Sequence, residues 1–103
     1  MRSVIFSIFM LCSVFTLVKA QSVILQGKVT DEVGSPMDMV HIRLSKGSIG
    51  TLSNFKGEYE LRVGKSDTLR VIFTSLGYKR VERVVSTNVE GNGRVSLNVQ
   101  MQP

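Results

Sequence analysis

From Val23 onward apolar and polar residues alternate with a period of two, and this pattern limits the chain to strands. Successive side chains of a strand point to opposite faces, so strict alternation marks a segment with one buried and one wet face. Val95, Leu97, Val99 and Met101 alternate with Arg94, Ser96, Asn98, Gln100 and Gln102. Val40, Ile42 and Leu44 form a second inward set, Tyr59, Leu61 and Val63 a third, and Leu69, Val71, Phe73 and Ser75 a fourth. Val23, Leu25 and Val29 form a fifth, with Gly27 occupying one step. A weaker pattern runs through Val81 and Val85, and a short run from Ile49 to Ser53 completes the set. Turn chemistry separates the runs: Asp31 to Pro36, Asn54-Phe55-Lys56-Gly57 with the Asn and Gly of a type I turn, Gly64 to Asp67, and Gly91-Asn92-Gly93. No helical periodicity competes. The pattern predicts an all-β fold, a seven-stranded antiparallel Greek-key β-sandwich.

The first 20 residues follow a different rule. Arg2 supplies a positive start, Val4 to Val18 is an apolar run broken only by Ser7, Ser13 and Thr16, and Val18-Lys19-Ala20 has the small or β-branched residues of a cleavage site. Together these parts predict a secretory signal peptide over 1–20, leaving one domain over 21–103. A membrane-spanning helix needs about 20 apolar residues, so the run is short for an uncleaved anchor. Cys12, the only cysteine, lies in mid-run after Leu11, which does not fit lipoprotein processing. The domain is therefore free of cysteine and is not expected to be stapled by disulfides. An exported chain with these features is expected in the periplasm or at the outer membrane.

Charge narrows the partners. The chain carries 13 basic and 8 acidic residues; Arg2 and Lys19 lie in the leader, so the remainder holds 11 basic residues and a balance of +3. The basic residues are dispersed, with only Lys79, Arg80 and Arg83 close together and Glu82 between them. A nucleic-acid binder needs a basic stripe, preferably interleaved with aromatics, so none is expected here.

The order of short motifs resembles a known module. Gly27-Lys28-Val29-Thr30-Asp31 followed by Gly34-Ser35-Pro36-Met37 is similar to the opening of the carboxypeptidase-regulatory-like domain. The likeness continues through Val40, Ile42, Leu44, Gly47, Gly50-Thr51, Ser53-Asn54, Gly57, Tyr59, Leu61 and Val63, and on to the Leu76-Gly77-Tyr78 corner. His41 and Met39 depart from the residues usual at their positions. The resemblance implies a transthyretin-like (prealbumin-like) sandwich. Placed directly after a signal peptide, it implies the N-terminal extension of TonB-dependent outer-membrane receptors. Gly27, Asp31, Gly34, Pro36, Gly50, Gly57, Gly77 and Tyr78 are expected to act structurally, as turn formers, close-approach positions and a corner.

The sequence offers little for catalysis. Zinc chemistry needs about three His or carboxylate ligands in defined spacing, and His41 is the only histidine. There is no nucleophile elbow and no cysteine outside the leader. Glu58 and Glu60 share a strand face but lie beside Lys56 and Arg62, as on an ordinary charged surface. Gly47-Ser48-Ile49-Gly50 lacks the lysine and helix of a phosphate loop. No enzyme activity, metal or cofactor is expected. Two functions remain: a periplasmic module that contacts protein partners such as a receptor plug, barrel or energy-coupling protein, or a glycan- or peptide-binding module at the cell surface. Glycan sites usually display aromatics, and only Phe55 stands at a turn tip.

Overall fold

The computed structural model describes residues 22–90 and 93–103. The expected signal peptide and cleavage site, with Cys12, and the first two residues of the Gly91-Asn92-Gly93 turn lie outside the described residues. The described chain is all strand and turn: β1 (Val23–Thr30), β2 (His41–Leu44), β3 (Gly50–Leu52), β4 (Glu58–Val63), β5 (Leu69–Thr74), β6 (Val81–Val85), β7 (Arg94–Ser96) and β8 (Val99–Gln100).

Two sheets result. One has the order β4-β1-β7, with β8 also paired to β1; the other has the order β3-β2-β5-β6. Inward residues of both sheets form one core, including Val23, Leu25, Val29, Tyr59, Leu61, Val99 and Met101 from the first and Ile42, Leu44, Val71 and Phe73 from the second. Tyr59 and Phe73 meet edge to face across it, with ring centroids 5.6 Å apart and an interplanar angle of 79°. That geometry suits the ring quadrupoles.

The expected seven strands become eight, and not all pairing is antiparallel. The last run, 94–102, is split into β7 and β8, and both pair with β1 in parallel. The register is the same on both sides of the break, with Gln26 opposite Ser96 and Val29 opposite Val99, so no residue is inserted. At the break the Leu97 N–H donates to the Gln26 carbonyl at 2.8 Å, and the Tyr59 hydroxyl donates to the Leu97 carbonyl at 2.5 Å. The Lys28 N–H is taken by the Asn98 side chain at 2.9 Å instead of by a strand carbonyl. A side-chain oxygen thus replaces a rung of the ladder, and the strand is interrupted there.

One residue departs from the simple two-face pattern. Ile72 points away from the core, yet it is only 2% exposed. Its cross-strand partners are Arg43 and Glu82, long side chains whose stems can cover an apolar neighbour while their charges stay in water.

Buried polar groups hold the irregular segments. The Ser53 hydroxyl donates to the Met37 carbonyl at 2.7 Å and accepts from the Val40 N–H at 2.9 Å, fixing the crossing from β1 to β2. Thr87 does the same after β6, donating to the Gly64 carbonyl at 2.8 Å and accepting from the Ser66 N–H at 2.9 Å. Alternation did not mark either as buried: Ser53 is a polar residue at the end of the short run from Ile49 to Ser53, Thr87 lies beyond β6, and only their tertiary partners explain their burial.

Candidate functional site

The eight motif residues occupy distinct structural settings. Asp31 follows β1 and builds the first turn. Its Oδ1 accepts from the Val33 N–H at 3.0 Å and the Ser35 N–H at 2.9 Å, while its carbonyl accepts from Gly34 and its N–H donates to Ser35. The second turn repeats this arrangement four positions at a time. Asn54 Oδ1 accepts from Lys56 and Glu58, both at 3.0 Å, and its carbonyl accepts from Gly57 at 2.8 Å. Gly34 and Gly57 sit at φ +85° and +77°, the left-handed conformation that follows a type I turn in a three-residue hairpin loop. An Asx side chain, two variable residues and a glycine therefore specify the same loop twice.

The remaining motif residues serve other ends. Pro36 makes an isolated bridge to Thr30 rather than opening a strand, and β2 begins at His41. Gly77 lies at φ +84° in a turn closed by the Tyr78 N–H on the Ser75 carbonyl at 3.1 Å. Positive φ at the third turn residue alone is the type II pattern. Tyr78 packs against the edge of the core. Gly50 opens β3 opposite Arg43, and Gly27 lies beneath the break in the last strand. A Cβ added at Gly34 or Gly77 meets no neighbour within 4 Å, so backbone strain is the main cost of valine there. A loss of about 1–3 kcal/mol is expected for each, whereas exposed His41→Ala is expected to change stability by under about 0.5 kcal/mol. Thermal melts of the three variants check this; equal melts for all three would contradict it.

These residues do not converge on a reactive centre. His41 is exposed on β2, and among the described residues no group of three His, Cys, Asp or Glu side chains could hold a metal ion. Glu60 takes its ion pair from Arg94 across the sheet at 2.9 Å, not from Lys56 or Arg62 beside it in sequence. No helix among the described residues is long and apolar enough to cross a membrane.

Burial pushes the Tyr59 phenol well above its ordinary range. A phenol unfolds to an ordinary pKa of about 10. The folded state therefore favours the neutral form, and its contribution is complete below about pH 10 and lost as pH rises further. Tyr59→Phe is expected to cost about 1 kcal/mol at neutral pH, through the lost bond to Leu97, and to flatten the alkaline fall in stability. Urea melts at neutral pH and above pH 10 check this; an equally steep alkaline fall in the variant would contradict it.

The edges offer a different kind of site. β3 is short and the β7–β8 edge is interrupted, which leaves β4 and β6 as the longest continuous edge strands. Among the described residues the exposed aromatic is Phe55, 74% exposed at the tip of the second Asx loop with the Lys56 ammonium 5.8 Å from its ring centroid.

Comparison with known proteins agrees with the architecture. The model of the CarboxypepD_reg-like domain matches residues 25–103. The chain is similar to 3-chlorocatechol 1,2-dioxygenase from Rhodococcus opacus 1CP at 11% identity and a TM-score of 0.66, over 82% of this chain and 60% of that one. It is similar at 13% identity and a TM-score of 0.61 to a chain of a type II cohesin–X-dockerin complex from Acetivibrio cellulolyticus, over 77% of this chain and 56% of that one. Catechol 1,2-dioxygenase from Pseudomonas arvilla C-1 follows at 9% identity and a TM-score of 0.64, over 82% and 53%. The chain spans little more than half the length of these proteins, and identities this low speak to the fold alone. No curated protein sequence matches the chain.

Proposed function

The chain belongs to the CarboxypepD_reg-like domain family, and from that premise we propose that it is a non-catalytic protein-interaction module exported to the periplasm or outer membrane. In this reading it forms the N-terminal extension of a TonB-dependent outer-membrane nutrient receptor and contacts the receptor plug, barrel or energy-coupling proteins. The observation that carries the proposal is the match over residues 25–103, beginning just after a leader with the three parts of a signal peptide. Continuous edge strands at β4 and β6 support a contact mode in which a partner adds a strand by main-chain pairing. A protein–protein assembly, the cohesin–X-dockerin complex, contains a chain with this fold. Fewer than a hundred residues leave no room for a barrel that also holds a plug, so transport itself belongs to the rest of such a receptor.

Deletion of residues 21–103 from the receptor is the test. The barrel is expected to insert and to keep its substrate affinity at the cell surface, while uptake falls because the lost contacts are periplasmic. Uptake and surface binding are measured in the same strain. Loss of surface binding at normal receptor levels would favour the glycan- or peptide-binding alternative, and unchanged uptake would refute a coupling role.

A further inference from the structure

A half-open groove of about 700 Å³ lies where β2 ends and β5 begins, lined by Leu44, Ser45, Lys46, Ser66, Thr68, Leu69, Arg70 and Val84. The fold assembles it from three strands and the loop after β4. The Ser45 N–H donates to the Arg70 carbonyl at 3.1 Å, and Arg70 stands opposite Val84 in the β5–β6 register. Ser45, Arg70 and Val84 thus form one row across the sheet. Leu69 is partly buried at the core edge, and Val84 is 59% exposed, so the surface is apolar as well as basic.

The polar groups of the groove are under-used. Among the described residues, the Lys46 ammonium and the hydroxyls of Ser45 and Thr68 make no hydrogen bond or ion pair. Arg70 reaches one carboxylate, Glu82, and only at 3.5 Å. Glu82 is held more closely by Arg80 at 2.7 Å. A guanidinium has five donors in a rigid fork, so most of the Arg70 fork faces solvent. Two cations, two hydroxyls and an aliphatic surface call for a ligand that is anionic and apolar by turns. A free phosphate would leave Leu69 and Val84 uncovered, and no aromatic lines the groove to stack on a base or a sugar. An extended peptide meets the requirement, because side chains two positions apart share one face, so an acidic and an aliphatic one can meet the groove together, and its carbonyls can accept from hydroxyls.

We propose that this groove docks an extended acidic segment of a protein partner, with carboxylates on Lys46 and Arg70 and aliphatic side chains over Leu69 and Val84. The proposal rests on the reading of the chain as a protein-interaction module and gives that module a surface and a partner chemistry. Glu82 then acts as a competitor for Arg70, a carboxylate that an incoming one displaces.

The test is a titration of the protein, purified from cells that express the full chain, with a short capped peptide of repeating Glu-Glu-Leu-Leu, which puts both residue types on each face of an extended chain, and with its Gln-Gln-Leu-Leu counterpart. The acidic peptide is expected to bind saturably and to weaken as salt rises; the neutral one is expected to bind several-fold more weakly. Arg70→Ala and Lys46→Ala are each expected to weaken the acidic peptide up to about fivefold, the range of one exposed ion pair, without changing the melting temperature. Glu82→Gln is expected to tighten it. Equal affinity for the two peptides, or unchanged affinity in both alanine variants, would overturn the groove assignment. The receptor deletion separates this outcome from the broader reading. Lost uptake with no peptide binding refutes the groove alone, whereas peptide binding with unchanged uptake refutes the coupling role alone.

Discussion

Gly27→Ala is expected to remove a large share of the domain's stability. A Cβ on residue 27 would stand 1.9 Å from the Leu97 carbonyl oxygen and 2.6 Å from its carbon, far inside any van der Waals contact. Both atoms are backbone, so relief requires moving the last strand off β1. That movement strains three bonds at once: Leu97 to Gln26, Tyr59 to Leu97 and Lys28 to Asn98. Bonds of this kind contribute about 0.5–1.5 kcal/mol each, and the parallel pairing on either side closes the first sheet. A loss of about 3–5 kcal/mol is expected, against a total of about 4–12 kcal/mol for a domain of this size. Circular dichroism and urea melts measure it. An unfolding midpoint equal to the parent's would show that β7 and β8 can shift without cost.

Gly57→Val is expected to be nearly as damaging and more damaging than the same change at Gly34 or Gly77. All three glycines have positive φ, which costs a residue with a Cβ about 1–3 kcal/mol. Only at Gly57 does the new Cβ also meet backbone, 2.5 Å from the Val29 carbonyl oxygen and 3.2 Å from the Met37 nitrogen. Those two atoms are themselves hydrogen-bonded at 3.0 Å, and the Val29 N–H donates to the Gly57 carbonyl at 2.8 Å. The substitution therefore pushes apart the two Asx loops where they meet. A loss of about 3–5 kcal/mol is expected, strain and displaced packing together. If the three glycine variants melted at the same temperature, conformation alone would account for all of them and the contact at Gly57 would be immaterial.

The two Asx loops also bear on function. Each places an exposed apolar side chain at its tip, Val33 in one and Phe55 in the other, while the acidic-peptide groove lies beside the start of β5 and the end of β2. Because β2 begins beside the chain that leaves Ser53 and ends at Leu44, these features lie toward opposite ends of the strands. A partner bound in the groove would leave the loop tips uncovered.

What the sequence alone determined was local. The inward residues of β1, β2, β4, β5 and β8 are the ones that alternation marks, because the two-residue period of a strand is a property of the backbone and needs no partner. The Asp31 and Asn54 turns were legible for the same reason: a side-chain oxygen, two residues and a glycine close a loop through bonds spanning four positions or fewer. What tertiary structure decided was everything that joins distant segments. The parallel pairing of β1 with β7 and β8 brings Gln26 opposite Ser96, and nothing in either segment states the direction of its partner. The break at Leu97 and Asn98 is invisible in a run whose alternation is unbroken; it appears only where Gly27 lets the other strand approach. Ile72 reads as an outward residue, and it is buried because Arg43 and Glu82 flank it from neighbouring strands. Lys46 and Arg70 read as two dispersed basic residues, and they share a groove because the β2–β5 register brings the end of one strand to the start of the other. Pattern reports which face a residue takes; closure of the sheets decides which residues share it.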